Sequence, residues 1–182
     1  FLRCIPNVIV MAPADENECR QMLYTAFMID APTAVRYPRG SGPGAVIEKK
    51  MASLPIGRAQ TRRTGRGVAI LAFGSMVAPA LRVGEALDAT VINMRFVKPI
   101  DIDAVIGAAA THELVVTLEE NALAGGAGAA VAEVLLEHQS KCRMLMLGLP
   151  DRFIDHGDQA QLLASIGLDE AGITASIKRA IG

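Results

Sequence analysis

The stretch NVIVMAPADENECRQMLYTAFMIDAPTAVRY (7–37) decides the fold of the first part of the chain. Its apolar run 7–12 predicts a short buried strand. Asp15 and Glu18 form a capping-box-like start, and the apolar residues that follow them fall on one face of a helix. A second strand is predicted over 33–37, so the stretch forms a β-α-β unit with two parallel strands.

Two parallel strands and one helix cannot bury both faces of a sheet by themselves, because parallel sheets need cover on both sides. We therefore expect residues 1–40 to be the end of a larger domain, whose other strands lie upstream or in another chain. The chain also begins at Phe1 without an initiating Met, so we expect it to be a piece of a longer protein.

The pattern changes after this unit, and we place a domain boundary near residue 45. Residues 38–56 are rich in Gly, Pro and charge, which is typical of a loop and linker. From residue 57 onward, apolar strands alternate with helices, which predicts an α/β domain with a mostly parallel, helix-covered sheet. The predicted elements are an edge strand over 57–62, strands over 68–73, 90–94, 114–118 and 144–147, and helices over about 77–87, 101–109, 127–138, 159–165 and 169–180.

The composition excludes several classes of protein. An apolar fraction of 51% excludes a disordered chain. The 18 Lys and Arg against 19 Asp and Glu leave a net charge of −1, so we expect no nucleic-acid partner. No apolar run reaches the about 18 residues that span a bilayer, so we expect no membrane partner. The three cysteines and three histidines lack metal-binding spacing, and such sparse cysteines favour a reducing compartment, the cytoplasm.

Four arginines form a local basic cluster around a predicted turn at 64–67: Arg58, Arg62, Arg63 and Arg66. The cluster has no interleaved aromatic side chains, so we interpret it as a solvated hairpin. The alternative interpretation is that these four arginines bind an anionic partner.

Arg39 is the candidate substrate-binding residue. It follows the predicted strand 33–37, on a short turn that Pro38 and Gly40 fix. Ligands of open parallel sheets bind at the carboxyl ends of the strands. A guanidinium held there can bind a phosphate or a carboxylate through two parallel hydrogen bonds. A surface ion pair is the alternative that the residues leave open for Arg39.

The glycine-rich stretch EENALAGGAG (119–128) joins a strand to a helix. Gly126 and Gly128 begin a dinucleotide-binding fingerprint, but Val131 stands where its third Gly or Ala belongs. We therefore favour a tight strand-to-helix crossing, or a close subunit contact, over a nucleotide site.

Two carboxylates precede this loop, and they form a candidate acid/base couple. Adjacent residues on a strand point to opposite faces of the sheet, so Glu119 and Glu120 cannot flank one substrate there. We interpret them as solvated or ion-paired carboxylates. Ser75 lacks the G-x-S-x-G context of a nucleophile elbow, so we assign it no catalytic role.

Seven stretches closely resemble, in order along the chain, the C-terminal part of one branch of the transketolase-like, thiamine-diphosphate-dependent enzyme family. They are IPNVIVMAPADENECRQML (5–23), AVRYPRG (34–40), LPIG (54–57), MRFVKPID (94–101), TLEENALAGGAG (117–128), LGLPDRFIDHG (147–157) and GLDEAGI (167–173). Each piece alone is weak, but their combination is specific and covers essentially all 182 residues. The branch condenses pyruvate with D-glyceraldehyde 3-phosphate, releasing CO2 and giving 1-deoxy-D-xylulose 5-phosphate, a precursor of isoprenoids, thiamine and pyridoxal.

This resemblance implies a domain division and a binding role. Residues 1–44 correspond to the end of a pyrimidine-binding domain, 45–55 to a linker and 56–182 to the transketolase C-terminal domain. Arg39 of YPRG matches the family arginine that binds the substrate's phosphate. The intact enzyme is implied to be a homodimer, completed by the upstream domains and a second subunit, that uses thiamine diphosphate and Mg2+.

The resemblance also implies what this chain lacks. The family's GDG…N motif for Mg2+ and diphosphate is absent, and its cofactor-activating glutamate lies upstream of Phe1. We therefore assign no catalytic, cofactor-binding or metal-binding residue to the chain, and expect the isolated chain to be inactive without bound cofactor. The alternatives are the C-terminal region of a transketolase or of a 2-oxo-acid dehydrogenase E1 β-subunit, and a non-catalytic dimerisation module.

Overall fold

The computed structural model describes residues 1–182, which form eight strands and six α-helices. The strands are β1 (Ile9–Met11), β2 (Thr33–Val35), β3 (Gln60–Arg63), β4 (Val68–Ala72), β5 (Thr90–Asn93), β6 (Phe96–Lys98), β7 (Leu114–Ala122) and β8 (Arg143–Leu149). The helices are α1 (Glu16–Met28), α2 (Val77–Leu87), α3 (Ile102–Thr111), α4 (Ala127–Glu137), α5 (Gln159–Ser165) and α6 (Glu170–Ile181). None of these helices combines the length and the apolar composition needed to cross a membrane.

The larger sheet has five strands in the order β3-β5-β4-β7-β8. Strands β5, β4, β7 and β8 are parallel, and only β3, at one edge, is antiparallel. Every residue of β4 is buried, because helices cover both faces of the sheet. The prediction of a mostly parallel, helix-covered α/β sheet is confirmed.

Two cores lie on the two faces of this sheet. On one face, Ile70 and Val116 belong to the same cluster as Val83 of α2 and Ile173 of α6. On the other face, Leu71 and Val115 belong to a cluster with residues of α3 and α4. Successive residues of β4 therefore supply opposite cores, as the two-residue period of a strand requires.

The smaller sheet contains the predicted β-α-β unit. Strands β1 and β2 are parallel, with Ile9 opposite Thr33. Between them, the Asp15 side chain accepts a hydrogen bond from the backbone N–H of Glu18 at 2.8 Å, so Asp15 is the N-cap of α1. The parallel unit and the start of its helix are confirmed.

A third strand, which no sequence pattern predicted, belongs to this smaller sheet. Strand β6 lies beyond the linker and pairs antiparallel with β1, in the order β2-β1-β6. Phe96 of β6 is fully buried against Met11 and Met22. The expectation that every further strand lies upstream or in another chain is therefore wrong for one strand, whereas the outer edge of β2 has no partner strand within this chain.

The interpretation of a solvated arginine hairpin is wrong as to the hairpin, although Arg58, Arg62 and Arg66 are exposed as that interpretation expects. Strand β3 pairs with β5 rather than with its sequence neighbour β4. Arg58 forms ion pairs with Asp101 and Asp103, and Arg63 forms one with Asp88 at 2.9 Å. Two of the four guanidinium groups thus fasten the edge of the sheet to neighbouring segments.

A buried ion pair joins the two sheets. The Glu18 carboxylate of α1 accepts hydrogen bonds from Arg95 Nε at 2.7 Å and from Asn93 Nδ2 at 2.9 Å. It also accepts one from the backbone N–H of Ala14 at 2.7 Å. Glu18 and Asn93 are both buried, so the carboxylate exchanges its water for these donors.

We predict that Phe96→Ala destabilises the chain by about 3–5 kcal/mol, because it leaves a cavity beside Met11 and Met22. The matched control is Phe153→Ala, whose side chain is fully exposed and should shift the unfolding free energy by no more than about 0.5 kcal/mol. Urea unfolding of the three proteins measures both values. Equal midpoints for the two variants would contradict the buried position of β6.

We predict that Glu18→Ala lowers the unfolding free energy by about 3–5 kcal/mol, since it leaves Arg95 partly buried without its carboxylate. Glu170→Ala is the control, because it breaks an ion pair with Arg82 in which both side chains are about half exposed. We expect the control to leave the urea midpoint nearly unchanged. A loss of unfolding free energy of similar size in both variants would show that the Glu18 contacts stabilise the chain no more than an exposed ion pair does.

Candidate functional site

Arg39 lies on the loop that follows β2, as the sequence predicts. The loop begins at Arg36, whose backbone N–H donates to the Met11 carbonyl at 2.8 Å. The Arg36 guanidinium reaches the Glu120 carbonyl of β7 at 2.9 Å. The Arg39 side chain itself is exposed and forms no ion pair or hydrogen bond within this chain. Its guanidinium is therefore free to bind an anion from outside the chain.

A cavity of about 830 Å³ lies beside this loop, between the first segment of the chain (residues 1–44) and the second (residues 56–182). Tyr37, Pro38 and Gly40 border it, together with residues of α1, the start of α2 and α5. Arg39 is not among its lining residues. Arg39 therefore does not form part of the cavity wall, although its neighbours on the loop do.

The charges that line the cavity are mostly acidic and already have partners. Five carboxylates face two arginines: Asp15, Glu16, Glu120, Asp169 and Glu170 against Arg20 and Arg82. Asp15 and Asp169 cap their helices, and Glu170 pairs with Arg82. An excess of satisfied carboxylates disfavours phosphate, so the cavity is not a second phosphate site.

Glu16 connects the cavity wall to the loop. Its carboxylate accepts hydrogen bonds from the backbone N–H of Gly44 at 2.8 Å and of Ala45 at 3.2 Å. Hydrogen bonds from its own backbone N–H, and then from those of Gly44 and Ala45, lower the pKa of Glu16 below its ordinary value. The carboxylate is therefore ionised at neutral pH and holds the start of the linker.

Glu120 lies at the opposite wall of the cavity. One carboxylate oxygen accepts from Ser75 Oγ at 2.6 Å, and the other accepts from Gln159 Nε2 at 2.8 Å. Ser75 is thus a hydrogen-bond donor to a carboxylate. These contacts join β7 to α5 at the edge of the loop that carries Arg39.

Glu119 points away from Glu120 and is buried. Its two oxygens accept hydrogen bonds from the backbone N–H groups of Ala127 and Gly128, each at 2.7 Å, at the N-terminus of α4. Burial raises the pKa of Glu119, and the two N–H groups oppose that rise. The interpretation of Glu119 as a solvated or ion-paired carboxylate is wrong, although the opposite orientation of the two side chains is confirmed.

The glycine-rich loop is shaped around this carboxylate. A Cβ added to Gly126 would lie 2.4 Å from Glu119 Oε2, and one added to Gly128 would lie 2.6 Å from Thr117 Oγ1. Arg3, from the start of the chain, donates to the carbonyls of Gly125 and Gly126 at 3.1 Å. The loop is therefore a tight strand-to-helix crossing, as predicted, and it also contacts the first segment.

The residues of this chain do not fit a diphosphate or a magnesium ion. The N–H groups that a glycine loop offers to a phosphate are already occupied by the Glu119 carboxylate. No group of three or more His, Cys, Asp or Glu side chains is arranged to hold a metal ion. No step of a cofactor reaction can be derived from these residues.

The sequence did not reveal two contacts that shape the site. The Glu16 contacts with the linker and the Arg36 contact with Glu120 join residues 28 and 84 positions apart. Only the glycines at 42 and 44 hinted at the first, because they permit a close approach of the backbone. No sequence pattern indicated the second.

Two family models match the chain. The transketolase C-terminal domain matches residues 57–173, and the transketolase pyrimidine-binding domain matches residues 1–44. The first match alone covers more than half of the chain.

Among curated proteins, the chain is similar to 1-deoxy-D-xylulose-5-phosphate synthases. It is 61% identical to that of Nitrosomonas europaea, 63% identical to that of Azoarcus sp. and 61% identical to that of Chromobacterium violaceum. Each alignment covers 98% of this chain but 29% of the relative. The chain therefore spans less than a third of the length of these relatives.

Two solved structures are also similar. A structure described as a split-gene transketolase, an inactive beta4 tetramer, aligns with a TM-score of 0.87 and 31% identity over 97% of this chain and 58% of that chain. Transketolase from Campylobacter jejuni aligns with a TM-score of 0.62 and 17% identity over 97% of this chain and 27% of that chain. The second likeness shows the fold alone.

We predict that Glu119→Gln flattens the pH dependence of stability. Because the folded-state pKa of Glu119 is raised above its ordinary value of 4.5, its protonation stabilises the folded chain at low pH. That contribution is lost as the pH rises from about 4.5 through the folded-state pKa. Urea unfolding at stepped pH measures the slope, and parallel curves for the two proteins would contradict the assignment.

Proposed function

Since the chain belongs to the transketolase family, we propose that it is the C-terminal part of a 1-deoxy-D-xylulose-5-phosphate synthase. The observation that carries this proposal is the 56–63% identity to such synthases along 98% of the chain. The split-gene transketolase, at 31% identity, is much less similar. The intact enzyme is then a transferase that condenses pyruvate with D-glyceraldehyde 3-phosphate.

We propose a domain division that follows the two segments of the chain. Residues 1–44 end the pyrimidine-binding domain, 45–55 form a linker and 56–182 form the C-terminal domain, a division that the two family matches support. Strand β6 joins the first of these domains although it belongs to the second by sequence.

Arg39 binds the phosphate of D-glyceraldehyde 3-phosphate in this proposal. Its side chain is exposed on the loop that follows the carboxyl end of β2, one of the two parallel strands of the smaller sheet, and it has no acidic partner in this chain. The neighbouring cavity is lined mainly by carboxylates that already have hydrogen-bond or ion-pair partners, so it is a less favourable site for the phosphate than Arg39. A planar guanidinium matches the geometry of two phosphate oxygens.

The cofactor is held elsewhere in the intact enzyme. Thiamine diphosphate supplies the carbon chemistry of this family, and we propose that it and Mg2+ bind to upstream parts of the enzyme. Glu119 occupies the one glycine loop of this chain that resembles a phosphate cradle. The isolated chain is therefore inactive in this proposal, which the inactive tetramer of the split-gene transketolase supports.

The exposed apolar surface of the first segment is consistent with a larger assembly. Leu23, Phe27 and Met28 of α1 are each more than half exposed, and the outer edge of β2 is unpaired. We propose that the upstream domains and the second subunit of a homodimer cover this surface. The three free cysteines fit a protein of the reducing cytoplasm.

We predict that Arg39→Ala in the intact enzyme lowers kcat/KM for D-glyceraldehyde 3-phosphate by about 10- to 150-fold, because a charge-assisted hydrogen-bond pair is lost. Arg62→Ala is the matched control, since Arg62 is another exposed arginine without an ion pair. Steady-state kinetics with both variants measures the effect. Unchanged constants for Arg39→Ala would remove Arg39 from the substrate site.

A substrate panel on the intact enzyme tests the activity itself. We expect turnover with pyruvate and D-glyceraldehyde 3-phosphate, and none with a lipoyl acceptor or with the sugar-phosphate pair of a transketolase. The purified 182-residue chain should not decarboxylate pyruvate. Decarboxylation by that chain would contradict the proposal that the cofactor binds elsewhere.

A further inference from the structure

We propose that Glu16 is a positioning residue for substrate binding: it fastens the linker to α1 and so fixes the loop that presents Arg39. This inference rests on the proposed role of Arg39. Glu16 itself contacts no substrate in the proposal. It acts by holding the backbone on the far side of the loop.

Both oxygens of the Glu16 carboxylate accept hydrogen bonds where the Arg39 loop meets the linker. Glu16 lies in the first turn of α1, directly after the N-cap Asp15. One oxygen accepts from Gly44 N at 2.8 Å, and the other accepts from Ala45 N at 3.2 Å. Two backbone donors on one carboxylate define both the position and the direction of the linker at this point.

The backbone just before the linker is fitted closely to this carboxylate. A Cβ added to Gly42 would lie 2.2 Å from Glu16 Cδ, so no larger residue fits there without movement. Gly44 has a φ of +82°, in the left-handed region that glycine adopts readily. Both glycines are therefore required by the conformation in which Glu16 binds the chain.

The other end of the loop is fixed independently. Arg36 N donates to the Met11 carbonyl at 2.8 Å, and the Arg36 guanidinium donates to the Glu120 carbonyl at 2.9 Å. Near the middle, Gly40 lies beside Gln159 of α5. Arg39 thus occupies a loop that is held at residue 36 on one side and at residue 44 on the other.

Release of the second end would loosen the loop. Without the Glu16 contacts, the next hydrogen bond between α1 and the following chain lies at Glu48. The stretch without such an attachment would lengthen from 37–43 to 37–47, and the Arg39 guanidinium would spend less time in its binding position. Apparent affinity falls in proportion to the fraction of molecules that are competent to bind. The loss would therefore appear as weaker binding of a phosphorylated substrate.

The linker beyond this point supplies a matched control. Further along α1, Asn17 Oδ1 accepts from Glu48 N at 2.9 Å, and Thr25 Oγ1 accepts from Leu54 N at 2.8 Å. Asn17→Ala removes a similar bond between the linker and α1, but it leaves the Gly44 and Ala45 contacts in place. It therefore separates general linker attachment from the positioning of Arg39.

The experiment uses the full-length enzyme with D-glyceraldehyde 3-phosphate and with unphosphorylated D-glyceraldehyde as acceptors. We expect Glu16→Ala to raise KM for the phosphorylated acceptor about tenfold and to leave the unphosphorylated one unchanged. Glu16→Gln, which keeps one acceptor oxygen, should give a smaller rise in KM. Asn17→Ala should leave KM unchanged for both acceptors.

A double mutant tests whether Glu16 acts through Arg39. In the Arg39→Ala background, Glu16→Ala should add no further loss, because the group that it positions is gone. Hydrogen exchange of the full-length protein gives a readout without turnover: the amides of Gly44 and Ala45 should exchange faster in Glu16→Ala. Additive losses in the double mutant, or unchanged exchange, would overturn the inference.

The outcomes also separate this inference from the proposed function. If Arg39→Ala loses activity but Glu16→Ala does not, the positioning role is overturned and the role of Arg39 stands. If Asn17→Ala raises KM as much as Glu16→Ala, general attachment of the linker explains the effect, and the inference is again overturned. If Arg39→Ala changes nothing, the proposed substrate site fails, and the role of Glu16 fails with it.

Discussion

The carboxylate of Glu18 is the contact on which the arrangement of the two segments depends. In a buried position between α1 and the end of β5, it accepts hydrogen bonds from the side chains of Arg95 and Asn93 and from the backbone N–H of Ala14. A buried carboxylate is tolerated only when its charge is paired and its oxygens are hydrogen-bonded, so the two segments cannot shift without a large loss. Strand β6 follows Arg95 directly and brings Phe96 into the small core. The start of α1 borders the cavity, and its residue Glu16 binds the end of the loop that carries Arg39.

Two neighbouring glutamates serve the two sides of the larger sheet. Glu119 is turned toward the N-terminus of α4, where it satisfies two buried N–H groups that water cannot reach. Glu120 is turned toward the cavity, where Ser75 and Gln159 bind it and its carbonyl accepts from Arg36. One side chain stabilises the domain, and its neighbour connects that domain to the loop of the first segment. The alternation of a strand is sufficient to separate these two roles.

Local patterns predicted the elements well, because the relevant contacts are close in sequence. The N-cap at Asp15, the bounds of α2 and the alternation from residue 57 onward all depend on neighbours within a few positions. Strand β6 escaped prediction because it is three residues long and depends on β1, more than 80 positions away. The partner of β3 depends on the same kind of distant pairing. Arg39 could be chosen from the strand-end rule, whereas the groups that hold its loop, Glu16 among them, could not.

Strand β6 follows the linker but pairs with β1, which precedes it. This pairing has a consequence for a chain whose backbone has been cut within the linker. The segments before and after the linker share a sheet, a core around Phe96 and the buried Glu18 junction. A protease that cuts between residues 45 and 55 would therefore leave two fragments joined without a covalent bond. Those fragments are suited to complementation, in which each piece, produced separately, recovers the native association when the two are mixed.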